Sequence, residues 1–281
     1  MKHKIGWLNR PGTTGETWNP IIGCSKCSPG CANCYAERMA CRQAHMREGC
    51  EYCDVTNGEW HEDGMWKAPT GWNGLTAFVP SQINKPLRWR KPRTVFVVSM
   101  GDLFHHSVPF EWQLEVWSKM AACPQHTFIL LTKRAAIMAD RVGRIANGPF
   151  GVLPNVWIGV TICTRIERHK RDYLRDTPVA VRFVSFEPLL DNMGNIASYL
   201  NWIDWVIVGG ESGPGSRAMN PWRPRSIRDQ CADAGVPFFF KQWGDACAEG
   251  AYDAGYCTLP HGGDGLDGRQ WHEWPGETYK D

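Results

Sequence analysis

Six short apolar runs between residues 94 and 241 constrain the fold more than any other feature of this sequence. Each is continuous, and most are followed by a polar stretch compatible with a helix. The runs are TVFVVS (94–99), TFILLT (127–132), VWIGVT (156–161), AVRFVSF (180–186), WVIVG (205–209) and PFFFK (237–241). Continuous apolar runs are typical of parallel strands that are buried on both faces. We therefore predict an α/β fold built on a parallel sheet.

Polar residue types follow every predicted strand. They are Ser99 to Asp102, Thr132 to Arg134, Thr161, Ser185 to Glu187, Gly209 to Ser212, and Lys241 with Gln242. The carboxyl ends of the strands line the active site in α/β barrels, whereas an open doubly wound sheet concentrates function at one switch point. Polar residues after all the strands therefore favour a barrel or a partial barrel, with its active site at the mouth formed by the carboxyl ends of the strands.

The twelve cysteines indicate metal or redox chemistry. The amino-terminal sequence MKHKIGWLNRPG has no apolar signal-peptide region, and no later run reaches the roughly 18 apolar residues of a membrane helix. We therefore expect a cytoplasmic protein with no membrane partner. Because thiols stay reduced in the cytoplasm, a disulfide framework is not expected. The net charge of +2 does not by itself predict a polyanion partner.

The segment GCSKCSPGCANCY (23–35) places Cys24, Cys27, Cys31 and Cys34 within eleven residues. Its proline, glycines and small residues allow the chain to wrap around a metal. Three ligands are available in either of two spacings, C-x3-C-x2-C from Cys27 or C-x6-C-x2-C from Cys24. A 4Fe–4S cluster held by three thiolates keeps one iron open to a substrate. A structural zinc site would use all four thiols, but zinc ligands normally come as pairs from separate segments, which favours the cluster.

The C-x3-C-x2-C spacing resembles that of the radical S-adenosylmethionine superfamily. The wider set of motifs resembles the three-Cys-motif radical-SAM-like proteins of phages and prophages. These motifs are TWNPIIGCSKCSPGCANCYAE, SMGDLF, LTKR, FEPLL, and VGGESGPGSR followed by FFFKQWG. The usual spacing in that family maps onto Cys24, Cys31 and Cys34. The superfamily spacing instead makes Cys27 the first ligand, and we expect Cys27 to take that role. The aromatic residue that usually precedes the last cysteine is replaced by Asn33.

The resemblance implies a partial (β/α)6-type barrel over residues 1–245, with the cluster loop (23–35) after the first strand. S-adenosylmethionine would lie across the mouth of the barrel. Residues from about 42 to 80 are rich in Gly, Cys, His and Trp without a clear period, which predicts a loop-rich insertion. Residues 246–281 are mostly Gly-rich and polar, and we expect them to form a C-terminal extension.

The resemblance also implies roles for residues at the strand ends. Those expected to bind S-adenosylmethionine are Ser99, Met100, Gly101, Asp102, Thr132, Lys133, Thr161, Ser185 and Glu187. Asp102 would pair with the methionine ammonium, and Lys133 would neutralise the carboxylate. Glu211, Lys241 and Gln242 are expected on the substrate side as catalytic residues.

The activity that the resemblance implies is radical chemistry. A one-electron donor of the flavodoxin or ferredoxin type would reduce the cluster, and cleavage of S-adenosylmethionine would give a 5′-deoxyadenosyl radical. Phage members of the family are associated with hypermodified thymidine, which implies an isomerase or mutase step on modified DNA or a modified nucleotide. The alternative, from another class, is a zinc-containing nucleic-acid-binding protein without catalysis.

Two further features leave alternatives open. Cys50 and Cys53, with histidines nearby in the sequence, form a ligand pair that is incomplete as a second metal site. Residues 84–93 (NKPLRWRKPR) join five cations to Trp89. This composition suits either a site for phosphates with a stacked base or a solvated connector.

Overall fold

The fold is built on a sheet of seven parallel strands that follow one another in chain order. The structure is a computed structural model, and it describes residues 5–47, 49–60, 66–246 and 263–277. The strands are β1 (Thr14–Trp18), β2 (Arg93–Val97), β3 (Thr127–Thr132), β4 (Val156–Thr161), β5 (Val181–Phe186), β6 (Trp205–Gly209) and β7 (Phe238–Gln242). Each apolar run of the sequence forms one of the strands β2 to β7. The expected α/β class is therefore confirmed.

The first strand, β1, has no continuous apolar run. It lies at the edge of the sheet and, among the described strands, pairs in parallel with β2 alone. Of its five residues only Trp18 is buried, because no other described strand pairs with the outer edge. The cysteine loop (23–35) follows this strand, after the two-residue strand Ile21–Ile22.

Helices cover the outer face of the sheet. The α-helices of the described residues are α1 (Tyr35–Met46), α2 (Pro80–Ile83), α3 (Phe110–Ala121), α4 (Ala135–Ala146), α5 (Lys170–Arg175), α6 (Ala197–Leu200) and α7 (Trp222–Ala234). From β2 to β6, one of the helices α3 to α7 follows each strand and packs its apolar side against the sheet. Within the described ranges, no helix is both long and apolar enough to cross a membrane.

Aromatic side chains fill the inner face of the sheet. The ring of Trp7 lies 4.9 Å from Phe96 on β2 and 6.3 Å from Trp205 on β6, measured between centroids. Phe239 on β7 lies 6.3 Å from Trp205. Rings from distant strands therefore share one cluster, and the sheet curls around it as a half-barrel. This shape agrees with the partial barrel expected from the sequence.

A C-terminal segment packs along the open edge of β7. The amide of Phe240 donates to the carbonyl of Trp271 at 2.8 Å, and residues 271–273 run antiparallel to the strand. The indole of Trp274 donates to the carbonyl of Trp7 at 2.8 Å. The carboxyl-terminal segment is thereby joined to the inner aromatic cluster. Residues 247–262 and 278–281 of the expected extension lie outside the described residues.

The region expected to be a loop-rich insertion forms short antiparallel pairs. Ala77–Phe78 pairs with Ile21–Ile22, and Glu59–Trp60 pairs with Trp66–Lys67. Apolar residues of this region, with Val55 among them, pack against the inner side of α1. The region therefore supports the helix that follows the cysteine loop.

Replacing Trp7 by alanine should strongly destabilise the fold. Trp7 is 1% exposed, so Trp7→Ala leaves a cavity where the rings of β2 and β6 meet. The free energy of unfolding should fall by about 3 to 5 kcal/mol, measured by urea denaturation with circular dichroism. The control Trp222→Ala removes the same ring from a site that is 45% exposed and should cost less than about 1 kcal/mol. Equal losses in the two variants would contradict the packing described.

Candidate functional site

A cavity of about 370 Å³ opens at the carboxyl ends of the strands. Its lining includes residues that follow or end each of the strands from β2 to β7. The sequence-predicted residues in this lining are Cys24, Cys31, Cys34, Ser99, Gly101, Asp102, Thr132, Lys133, Thr161, Glu187, Glu211, Lys241 and Gln242. The polar strand ends and three of the loop thiols therefore share one cavity.

Three of the predicted site residues are not in the lining. The side chain of Met100 packs with Ile22 beneath α1. Ser185 is buried behind Glu187, to which its hydroxyl donates at 3.2 Å. Cys27 is exposed. Met100 and Ser185 thus support the wall of the cavity, and a ligand inside it would contact their neighbours first.

The cysteine loop lies close against the strand ends. Gly23 has a φ of +92°, and its amide donates to the carbonyl of Met100 at 3.1 Å. A Cβ atom on Gly30 would collide with the sulfur of Cys163, just beyond β4, so the loop approaches this closely only with glycine there. Cys34 is the N-cap residue of α1. The thiol-bearing loop therefore forms one wall of the cavity.

The four sulfurs of the loop have different surroundings. Cys24, Cys31 and Cys34 border the cavity, whereas the Cys27 thiol donates toward Cys31 and thereby lowers the pKa of Cys31 to about 5. Burial, together with the charge of Asp102, raises the pKa of Cys24 to about 12. Within the part of the chain that the structure describes, no group of three or more Cys, His, Asp or Glu side chains is arranged to hold a metal ion.

A buried ion pair joins the cysteine loop to the strand ends. Arg134 Nη1 lies 2.9 Å from Oδ2 of Asp102, and the two side chains are 8% and 7% exposed. Thr132 donates its hydroxyl to both oxygens of Asp102, at 2.8 and 2.9 Å. The same guanidinium donates to the carbonyl of Ser25 at 2.7 Å and to the sulfur of Cys24 at 3.4 Å. Both oxygens of Asp102 thus already accept hydrogen bonds within the protein.

His105 holds the same loop from another side. The amide of Ser107 donates to Nδ1 at 3.2 Å, which assigns the ring hydrogen to Nε2. Nε2 then donates to the hydroxyl of Ser25 at 2.7 Å. Burial, with the charges of Arg134 and His106 nearby, lowers the pKa of His105 to about 4. The ring is therefore neutral at pH 7 and acts as a hydrogen-bonding support.

The loop after β6 is joined to the cysteine loop across the mouth. Asn33 donates to Oε2 of Glu211 at 2.9 Å and to the carbonyl of Gly215 at 2.8 Å. Arg217 pairs with the same carboxylate and donates to the carbonyl of Pro29 at 3.0 Å. Although burial opposes it, the donors on Arg217 and Asn33 lower the pKa of Glu211 to about 2. Glu211 is therefore an ionised group that links two loops.

Two lysines of the cavity differ in their partners. Lys241 Nζ lies 2.6 Å from Oε1 of Glu187. Lys133 Nζ, in contrast, has no hydrogen bond or ion pair with another residue of the described ranges. Burial would lower the pKa of Lys133, but the nearby sulfurs of Cys163, Cys31 and Cys34 raise it. Lys133 is thus a charged group that is available to an anionic ligand.

The cationic segment around Trp89 lies away from this cavity. Arg93 begins β2, at the opposite end of that strand from the cavity. Arg93 and Lys85 lie over the Trp89 ring, at 5.0 and 5.7 Å from its centroid, and both pair with Glu16. The ring is therefore covered by cations of the protein itself, which favours the connector interpretation of this segment.

Cys50 and Cys53 form a close pair beside α1. Their sulfurs lie 3.7 Å apart, and both thiols donate to backbone carbonyls near the carboxyl end of that helix. No third Cys, His, Asp or Glu of the described residues joins them in a group that could hold a metal ion. The pair is thus held by the helix end and stays incomplete as a metal site.

Four residues that organise the site are not among the site residues predicted from the sequence. They are Asn33, His105, Arg134 and Arg217. Three of them lie within a recognised motif: Asn33 between two cysteines, Arg134 at the end of LTKR, and Arg217 at the end of VGGESGPGSR. His105 directly follows SMGDLF. Proximity to these motifs was the available signal, but each side chain also has a partner at least 80 residues away in sequence, which the motifs do not reveal.

The fold and the site together define an α/β protein with a parallel partial barrel and a thiol-bearing loop at the mouth of its cavity. Over residues 3–275 the chain matches the model of the family described as "Protein of unknown function (DUF5131)", and it belongs to that family. No curated protein and no solved structure matches the chain. The family description carries no activity, so function is argued from the site.

Replacing His105 by glutamine should reduce the pH dependence of stability. The folded pKa of His105, about 4, is lower than the ordinary value of 6.5, so the unfolded chain binds the proton more readily. The stability associated with the neutral ring is complete above pH 6.5 and declines as the pH falls toward 4. From pH 7 to pH 5 the wild type should lose about 1 to 2 kcal/mol more than His105→Gln.

Urea unfolding of both proteins at pH 7 and pH 5 checks this prediction. The matched control is His169→Gln, because His169 is an exposed histidine. The control should keep the pH dependence of the wild type. An unchanged pH dependence in His105→Gln would show that the ring is not held neutral by its surroundings.

Proposed function

We propose that the protein is a radical S-adenosylmethionine enzyme that holds a 4Fe–4S cluster on its cysteine loop. One observation carries the proposal: three thiols of a single tight loop border the same cavity as the polar ends of β2 to β7. The resemblance of the sequence motifs to the three-Cys-motif radical-SAM-like proteins supports the same function. A site that joins soft sulfur ligands to many convergent polar groups suits catalysis on a bound substrate.

The proposed ligands are Cys24, Cys31 and Cys34, which replace the set that begins at Cys27. Cys27 is exposed and lies outside the cavity lining. A single zinc ion needs its ligands to meet at one point, whereas a cluster takes one thiolate at each of several irons, around a larger volume. Sulfurs that border a cavity without meeting at a point fit the second requirement. Three ligands keep one iron open to S-adenosylmethionine.

Lys133 binds the carboxylate of S-adenosylmethionine in this proposal. Its ammonium lies near Cys31 and has no hydrogen-bond or ion-pair partner in the described part of the chain, so an anion there gains a charge-assisted contact. Asp102 does not bind the methionine ammonium in this proposal, because both its oxygens already accept hydrogen bonds from Thr132 or Arg134. Its role is to hold Arg134 in place. Thr161 and Glu187 line the cavity and keep the role in binding S-adenosylmethionine that the resemblance implies.

When bound, the cluster would supply the electron for reductive cleavage of the sulfonium S–C5′ bond, which gives methionine and a 5′-deoxyadenosyl radical. The electron comes from a donor of the flavodoxin or ferredoxin type. The protein's own task is to orient the substrate carbon and to exclude water and competing hydrogen donors. The contact between Asn33 and Glu211 serves this task, because it keeps two loops together across the mouth.

The proposed substrate is an amino-acid-derived group on a hypermodified thymidine of phage DNA, rearranged in an isomerase- or mutase-type step. Tyr35 and Trp72 in the lining offer aromatic surface for a base, and Lys241 and Gln242 offer polar contacts. The cations around Trp89 lie at the other end of the sheet. Because the cavity opens at the carboxyl ends of the strands, DNA would approach the protein there and not at the cations around Trp89.

Anaerobic reconstitution tests the proposal directly. The protein should be brown, with about four iron and four sulfide per chain, and should form 5′-deoxyadenosine from S-adenosylmethionine and dithionite. Cys24→Ala, Cys31→Ala and Cys34→Ala should each lose the cluster and the product. Cys27→Ala should keep both, as should the control Cys123→Ala at a buried core position.

Two other results would change the assignment. Colourless protein with stoichiometric zinc would rule out the radical mechanism and support the zinc-containing nucleic-acid-binding alternative. Loss of the cluster in Cys27→Ala with retention in Cys24→Ala would make Cys27 the first ligand. Iron and sulfide analysis with absorption spectra separates these outcomes before any activity is assayed.

Replacing Lys133 by methionine should weaken the binding of S-adenosylmethionine to the reconstituted protein. Loss of a charge-assisted contact predicts a dissociation constant about 10 to 100 times higher, measured by anaerobic equilibrium dialysis. The control Lys91→Met changes an exposed lysine beside the amino end of β2 and should leave the constant unchanged. An unchanged dissociation constant in Lys133→Met would mean that another group binds the carboxylate of S-adenosylmethionine.

A further inference from the structure

Arg134 is a buried cation that contacts a carboxylate and one loop thiol at the same time. Its Nη1 donates to Oδ2 of Asp102 at 2.9 Å and to the sulfur of Cys24 at 3.4 Å. Its Nη2 donates to the carbonyl and hydroxyl oxygens of Ser25 at 2.7 and 3.1 Å. These four contacts fix the plane of the guanidinium against the first cysteine of the loop.

The carboxylate of this ion pair is fixed from the opposite side. Asp102 accepts from the hydroxyl of Thr132 and, at 3.0 Å, from the amide of Phe104. Thr132 in turn accepts from the amide of Arg134 at 2.9 Å, which positions the backbone that carries the guanidinium. The negative end of the pair thus lies against the strand ends. The positive end faces the sulfur of Cys24.

We propose that Arg134 is a positioning residue that raises the reduction potential of the cluster by donating to Cys24, an inference that rests on the function proposed above. A donor to a ligand sulfur withdraws electron density from it and stabilises the more negative, reduced state. Both side chains of the ion pair are more than nine-tenths buried, so solvent screens the charge of Arg134 only weakly.

Two substitutions should move the potential in opposite directions. Arg134→Gln removes the positive charge, so the midpoint potential of the cluster should shift to a more negative value. Asp102→Asn removes the compensating negative charge and keeps Arg134, so the midpoint should shift to a more positive value. Anaerobic redox titration followed by electron paramagnetic resonance measures both shifts in reconstituted protein without S-adenosylmethionine.

Two further variants separate charge from loop structure. Arg134→Lys keeps the charge without the two-pronged donor and should give a midpoint between those of the wild type and Arg134→Gln. The control Arg144→Gln alters an arginine that packs over the ring of Phe110 and should leave the midpoint unchanged. If Arg134→Gln retains no cluster, Asp102→Asn alone tests the inference: a more positive midpoint supports it, and a more negative or unchanged midpoint overturns it.

The inference is overturned if Arg134→Gln and Asp102→Asn shift the midpoint in the same direction, or if neither shifts it. This comparison requires that both variants contain a cluster of normal iron and sulfide content. An outcome that overturns the inference in this way would leave the proposed function intact. Absence of an iron–sulfide chromophore from wild-type protein would instead refute the proposed function itself. The two failures are therefore distinguishable.

Discussion

The curl of the parallel sheet is the constraint on which the candidate site depends. Neighbouring strands lie roughly 4.8 Å apart, so the ends of β2 and β7 in a flat sheet would be separated by roughly 24 Å. Ser99 and Gln242, which lie at those two ends, line one cavity instead. The rings of Trp7, Trp205 and Phe239 bring the two halves together. Packing in the inner cluster thus creates a common mouth at the carboxyl ends.

The mouth contains buried charges that apolar packing alone would not require. Removing an ion pair from water costs several kcal/mol for each ion, and hydrogen bonds must offset this cost. Asp102 and Arg134 meet that condition through Thr132 and Ser25, and the result is a fixed cation beside a thiol. Such a pair contributes little net stability. It does fix the position of the cysteine loop against the strand ends.

The positions of most strands could be predicted because buried parallel strands leave continuous apolar runs in the sequence. The edge strand β1 could not, since most of its side chains are not buried. The strand ends predicted the location of the cavity, but the direction of single side chains depended on local packing: Met100 turns beneath α1, and Ser185 lies behind Glu187. The ion pair of Asp102 with Arg134 could not be predicted either, because the two residues are 32 positions apart in the sequence.

The LTKR motif places its two cations on different parts of the cysteine loop. The thiolates that raise the pKa of Lys133 include Cys31, whereas Arg134 bonds to the sulfur of Cys24. Thiolates held close together repel one another, and a cation on each part of the loop lowers that repulsion. A loop that only packed four neutral thiols would not need a cation beside each part of it. In the function proposed above, these two cations offset the negative charge of the thiolate ligands.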